Sequence, residues 1–253
     1  GFVGLLVVLL LMFLHTSAMM PMSEAAMAHL VSKEGQFDAR RYGRVRLWGS
    51  LGFLLTVLAA GAWFEGHGMG SFALWSTCTL LAVTVSVWWM PDVKEAAHTT
   101  ALPAQPVWPL LRQPAVAWLF ASIFFHVLAH IAVYVFFSLY LDSLGYRKTT
   151  IGLLWAVSVV LEIGWFFMQG RWMPLLSLSA WLVLASALVT VRMALTAGWP
   201  TVWPLLVVAQ MLHAITFATH HTACVALISH HFPGHLRGRG QALYTVIGYG
   251  VPG

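Results

Sequence analysis

Runs of apolar residues long enough to cross a bilayer follow one another along almost the whole chain, at 1–30, 46–64, 71–90, 115–140, 150–169, 177–197 and 201–229, and an eighth begins at 241. A span needs ~20 such residues, because lipid offers no partner for backbone N–H and C=O groups and so drives them into helix. Little is left to face water: 8% of the 253 residues are charged and 60% are hydrophobic, whereas a soluble domain is roughly a quarter charged. A soluble enzyme and a nucleic-acid-binding module are therefore excluded. The net charge of +5 reads as a membrane-flank signal, not as affinity for phosphate. The expected fold class is an all-α polytopic membrane protein. The 13 Trp, 15 Phe and 11 Met suit helices that face lipid and one another. Cys78 and Cys224 lie in separate apolar runs, with neither a disulfide framework nor a zinc spacing.

The first run is already apolar at Gly1, with no basic region ahead of it, and the last stops at Gly253 about half-way through a span. Both observations predict a piece of a longer chain, cut at each end. The first run also contains Pro21 and is too long for one straight span, so its last turns should kink or emerge. The stretch 91–114, with Pro103, Pro106 and Pro109, reads as a linker between two halves. Ten of the thirteen Lys and Arg residues fall in the connections 31–46, 91–114, 170–176 and 230–240; two fall in 141–149 and none in 65–70 or 198–200. The positive-inside rule then makes the linker cytoplasmic. Three spans precede it and five follow. In a protein of twelve helices arranged as two six-helix halves, 1–90 would be helices four to six, 91–114 the linker, and 115–253 helices seven to ten with the start of eleven.

The thirteenth basic residue, Arg192, belongs to no loop. An ionised side chain near the bilayer centre costs at least ~2.5 kcal/mol on insertion scales, so each one is a candidate for function with a partner to be named. Glu162 and Arg192 are the clear cases, and Glu24 lies less deep. Glu162 follows Thr150 and His213 follows Thr201 by 12 positions each, which places both ~18 Å in from one membrane face at ~1.5 Å per residue. Arg192 is nearer that face, and its long side chain reaches inward. The three lie on consecutive spans and can meet at one cavity. Such a set suits proton coupling: an apolar cavity favours the neutral acid, a guanidinium favours the carboxylate, and moving one against the other loads or releases a proton. The plainer alternative is a static Glu–Arg pair that locks two helices. For Glu24 and Arg46 the spacing alone suggests a helix-end carboxylate and one more loop-flanking arginine.

His126 and His130 stand at the i, i+4 spacing of a metal pair, and His220, His221, His230, His231 and His235 cluster late. Almost no carboxylates are available to join them, so no metal site and no cofactor is expected. The late histidines are expected at the membrane interface, and His130, with Tyr134 one turn on, at a cavity or in the core.

The stretch Asp38-Ala-Arg-Arg-Tyr-Gly-Arg-Val-Arg-Leu-Trp-Gly-Ser-Leu-Gly-Phe53 resembles the start of helix five in the lactose-permease-like branch of the major facilitator superfamily, closest to the phenylpropionate permease family. The resemblance continues through Ala129-His130, Tyr134, Tyr140, Gly145-Tyr146, Ile151-Gly-Leu-Leu-Trp155, Glu162, Val191-Arg192 and Leu212-His213. It implies the twelve-helix fold. It also implies that Glu24 pairs with Arg46 at the substrate site, and that Glu162, Arg192 and His213 match the coupling residues of helices eight, nine and ten. Where lactose permease carries a Lys and a proton-carrying Glu around that histidine, this chain has Gln210 and Thr216. Glu162 is thereby left as the proton carrier, and the missing Lys argues against assuming a sugar.

The expected function is a proton-coupled symporter of the plasma (inner) membrane, monomeric, not an enzyme, importing a small organic solute such as an aromatic acid by alternating access. Glu162, Arg192 and His213 would couple protons, and Glu24, Arg46, His130 and Tyr134 would bind substrate. The alternatives are an antiporter or exporter of the same fold and, further off, a histidine-rich membrane metal enzyme. A channel is disfavoured by the lack of a filter motif.

Overall fold

A computed structural model describes residues 1–17, 19–32, 36–89 and 106–252, with the side chains of 15–17, 65, 69 and 235 left out. Most of the linker expected at 91–114 lies outside the described residues. Among these residues the chain forms helices and no strand, as the hydrocarbon requires of a segment that cannot close a barrel. They are α1 (Phe2–Ser17), α2 (Met19–Val31), α3 (Ala39–His67), α4 (Phe72–Trp88), α5 (Val107–Leu111), α6 (Pro114–Ser143), α7 (Lys148–Trp172), α8 (Leu178–Gly198), α9 (Trp203–Met211), α10 (His220–His231) and α11 (Arg237–Thr245). Two π-helical stretches, Ala214–Thr219 and Val246–Gly250, join α9 to α10 and extend α11. Among the described residues, six apolar stretches are long enough to cross a membrane: Phe2–Val31, Ala39–Phe64, Pro114–Ser143, Lys148–Leu175, Leu178–Gly198 and Trp203–His231. The 17-residue α4 is apolar but shorter. The last run begins earlier than expected, at Arg237 rather than 241.

The helix ends follow local chemistry. The carboxylate of Asp38 accepts the amides of Arg40 (2.9 Å) and Arg41 (3.1 Å) and so starts α3. Ser177 accepts the amide of Ala180 at the start of α8. The α6–α7 turn closes with Gly145 at φ 83°, and the amide of Tyr146 reaches back to Leu141 O at 3.0 Å. Only glycine takes that left-handed conformation without a steric cost.

The described residues divide into two compact units. One comprises Gly1–Leu51 with Val107–Gly253. Its centre is the stretch Trp203–His231, 72% buried over its most apolar window, whereas Phe2–Leu14 present apolar side chains outward, as a lipid-facing helix does. Its core gathers Tyr42, Phe120, Ile123, Phe166, Trp181 and Phe232. The other unit, Gly52–Pro106, carries an aromatic cluster at its helix turn. His67 stacks on Trp63 at 4.1 Å, Trp75 meets Trp63 edge-on at 5.2 Å, and Trp63 Nε1 donates to Ser71 Oγ at 3.1 Å.

Candidate functional site

Glu162 on α7, Arg192 on α8 and His213 just ahead of the first π stretch converge inside the first unit, and all three are buried. Their contact is a relay rather than a direct ion pair. His213 Nε2 lies 3.0 Å from Glu162 Oε2, and Arg192 Nη1 lies 3.1 Å from His213 Nδ1. A guanidinium can only donate, so Nδ1 must accept. The imidazole proton then sits on Nε2 and donates to Glu162. Ser50, on α3, donates to the other carboxylate oxygen, Oε1. Beyond Arg192 the network continues: Nη2 donates to Gln210 Oε1 at 3.1 Å, which also accepts from Ser158 Oγ at 2.7 Å. The plainer alternative, a direct Glu162–Arg192 pair, does not form among the described residues: the His213 imidazole stands between the charges. Gln210, at the position where the resemblance placed a lysine, accepts Arg192 as a lysine could not.

A second cluster lies two turns further along the same helix. Glu24, on α2, accepts Tyr42 Oη at 2.9 Å and lies 3.4 Å from His221 Nε2. His221 Nδ1 lies 2.7 Å from Tyr244 Oη. His213, Phe217 and His221 stack in a row, with ring centroids 5.1 and 5.9 Å apart. The row connects the two carboxylate–histidine pairs through an apolar ring. His220 and His221, expected at the interface, are buried in the core; burial there follows from partners, since His220 stacks on His126 at 3.5 Å and His221 meets Glu24. His230 and His231 do reach the helix end, where His231 is half-buried.

The expected Glu24–Arg46 pair does not form among the described residues. Tyr42 and His221 occupy Glu24 instead, and Arg46 is half-buried, its guanidinium 5.7 Å above the Phe166 ring and its Nε without a hydrogen-bond partner. His130 donates from Nδ1 to His126 O at 3.2 Å and accepts from Thr216 Oγ at 3.3 Å. His126 Nε2 donates to Thr216 O at 2.7 Å. The two rings stack, their centroids 4.8 Å apart. Tyr134 is 40% exposed, packs against Trp155 at 6.0 Å and meets the edge of His213 at 6.4 Å. A small cavity runs between His126, His130, Tyr134, Phe217, His221 and Tyr249. Ser50 and Ser158 carry no sequence signal that separates them from any other serine in an apolar helix.

Helices of spanning length with charged side chains paired inside the bundle define a multi-pass membrane protein. The chain belongs to the MFS_1 like family, which it matches over residues 1–253. It is 27% identical over 238 residues to the "Probable 3-phenylpropionic acid transporter" of Escherichia coli strain K12, covering 92% of this chain and 60% of that protein. It is 26% identical over 236 residues to the maltose permease of Geobacillus stearothermophilus, covering 93% and 58%. An uncharacterized transporter of Bacillus subtilis strain 168 is 24% identical over 214 residues, covering 83% and 52%. The chain thus spans little more than half the length of these relatives, all of them transporters or permeases by name. No solved structure matches.

Proposed function

We propose that the protein is a proton-coupled symporter that imports a small organic solute across the plasma (inner) membrane, working as a monomer by alternating access between two helical halves, 1–90 and 115–253, joined by a cytoplasmic linker at 91–114. The observation that carries the reading is the chain Ser50–Glu162–His213–Arg192–Gln210. As a carboxylate, Glu162 accepts from Ser50 and from His213 Nε2–H. A proton arriving on Oε2 would meet the imidazole N–H head-on, so loading it releases His213. The release frees Nδ1, and with it Arg192, to turn toward a solute. Proton binding and solute binding are coupled because one imidazole serves both.

A freed guanidinium, with His130 and Tyr134 lining the cavity next to His213, suits an anion with an aromatic body. That favours an aromatic acid, the substrate class in the name of the Escherichia coli relative, over a neutral sugar. Glu24 and Arg46 complete the site from the facing helices.

The test uses the full-length protein in proteoliposomes with 3-phenylpropionate as probe. Glu162→Gln keeps a hydrogen-bonding side chain that carries no proton. It is expected to lose accumulation driven by a pH gradient while exchange of labelled for unlabelled solute continues. Full accumulation by this variant refutes the coupling role. Alkalinisation of the outer medium on solute addition supports import with protons, and acidification assigns an exporter of the same fold.

A further inference from the structure

The pair Glu24–His221 repeats the chemistry of Glu162–His213 at a different level of the bundle, and the coupling scheme leaves it unused as a proton site. Four side chains make it, from four helices: Glu24 on α2, Tyr42 on α3, His221 on α10 and Tyr244 on α11, all buried. His221 can change its proton count there without stranding a hydrogen bond. Neutral, it donates from Nε2 to Glu24 and accepts at Nδ1 from Tyr244. Protonated, it donates from both nitrogens, and Tyr244 turns its own hydroxyl toward Tyr249, whose Oη is 3.4 Å away. Glu24, His221 and Tyr244 keep their partners in both states, and only the Tyr249 hydroxyl must turn its own proton away from Tyr244. What changes is strength: a charge-assisted contact to the carboxylate is roughly twice as strong as a neutral one.

The position gives that change a consequence. Glu24 and Tyr42 precede the linker in sequence, and His221 and Tyr244 follow it. Around them the same helices meet closely. Gln169 donates to Ala39 O, Gly43 lies against Phe166 and Gln169, and Arg237 Nη1 lies 3.0 Å from His29 Nδ1. Ala39, Gly43 and Arg237 lie within 31–46 and 230–240, the connections that hold seven of the thirteen Lys and Arg residues, and Gln169 adjoins 170–176. The other titratable groups around the pair are Arg46 from α3, His126 and His130 across the cavity from α6, His220 and the Cys224 thiol that contacts it on α10 itself, and Tyr249 beyond Tyr244.

We propose that Glu24 and His221 form a second proton-binding site, separate from Glu162, that latches α2 and α3 to α10 and α11 at the basic end of the bundle while protonated and loosens when the proton leaves. The inference rests on the alternating-access reading, since a latch matters only if that end opens.

Cys224 reports the opening. It is fully buried, three residues beyond His221, and reacts with a maleimide only when that end parts. In the full-length protein with every other cysteine replaced, alkylation of Cys224 by N-ethylmaleimide is followed from acid to alkaline pH, each point normalised to the unfolded protein at the same pH. The unmodified latch is expected to slow labelling by about tenfold on acidification, the worth of one charge-assisted hydrogen bond. Glu24→Gln and His221→Gln each flatten the normalised profile, and Glu162→Gln leaves it sloping. Two independent variants guard against one that fails to fold. A His221→Gln or Glu24→Gln profile that superimposes on the parent overturns the proposal, as does a flat profile in Glu162→Gln. No solute and no gradient enter the assay, so its failure leaves the Glu162 coupling scheme standing.

Discussion

His213 holds its place as one tautomer only. Arg192 supplies a donor to Nδ1 and Glu162 an acceptor to Nε2, so glutamine in its place, with one amide, cannot serve both at the ring's span. His213→Gln should therefore lose coupled accumulation, as Glu162→Gln does, and in addition weaken solute exchange, which the same proteoliposome assay separates. Ser50 offers a cleaner measure of the network. Its hydroxyl donates to a buried carboxylate oxygen, and Ser50→Ala leaves that oxygen short of a donor. The expected loss is about 1–3 kcal/mol of stability, read as a lowered thermal unfolding midpoint in detergent. The charged members of this site were legible from sequence because hydrocarbon makes each one expensive. Ser50 was not, because a hydroxyl in an apolar helix ordinarily bonds its own helix. Thr77, Thr79, Thr84 and Ser86 all bond the carbonyl four residues back. Nothing in the letters distinguishes the serine that reaches across.

At the scale of elements, the π stretch Ala214–Thr219 lies within the span in which His213, Phe217 and His221 form one stacked row. A π turn admits one residue more than the α-helix it interrupts and turns everything beyond it by about 100°. His220 and His221 were expected at the interface from their place late in the chain, but the stretch Trp203–His231 that carries them is buried over most of its surface. Deleting Ile215 removes the extra residue. The variant should keep its helical content by circular dichroism yet misalign His221 from Glu24, and lose solute exchange as well as accumulation. Exchange at the parent rate would mean that the stretch has no part in positioning these rings. The α6–α7 turn makes a milder case. Gly145→Ala forces a Cβ into φ 83° and should lower stability by about 1 kcal/mol without altering the coupling ratio.

For the molecule as a whole, within the first compact unit the residues up to Leu51 and those from Val107 on approach closely around Gly43. A Cβ built on Gly43 would overlap the carbonyl oxygen of Phe166 and the side chain of Gln169. Backbone cannot swing aside as a long side chain can, so relief requires α3 and α7 to part. The clustering of basic residues in 31–46 and 230–240 is legible in the sequence. The close approach was invisible to it, since a glycine in an apolar helix is as often a simple packing residue as a contact between halves. Gly43→Ala should therefore favour the state in which the basic end is open. Its expected signature is faster alkylation of Cys224 at every pH, with the slope set by Glu24 and His221 retained, because a steric wedge shifts the balance between closed and open forms without touching the groups that titrate. In transport, the same variant should slow net accumulation more than exchange, since accumulation requires the closed end to re-form in each cycle with the proton and solute still bound outside. Unchanged labelling would show that the end opens about other contacts, and that Gly43 is packed tightly in both forms.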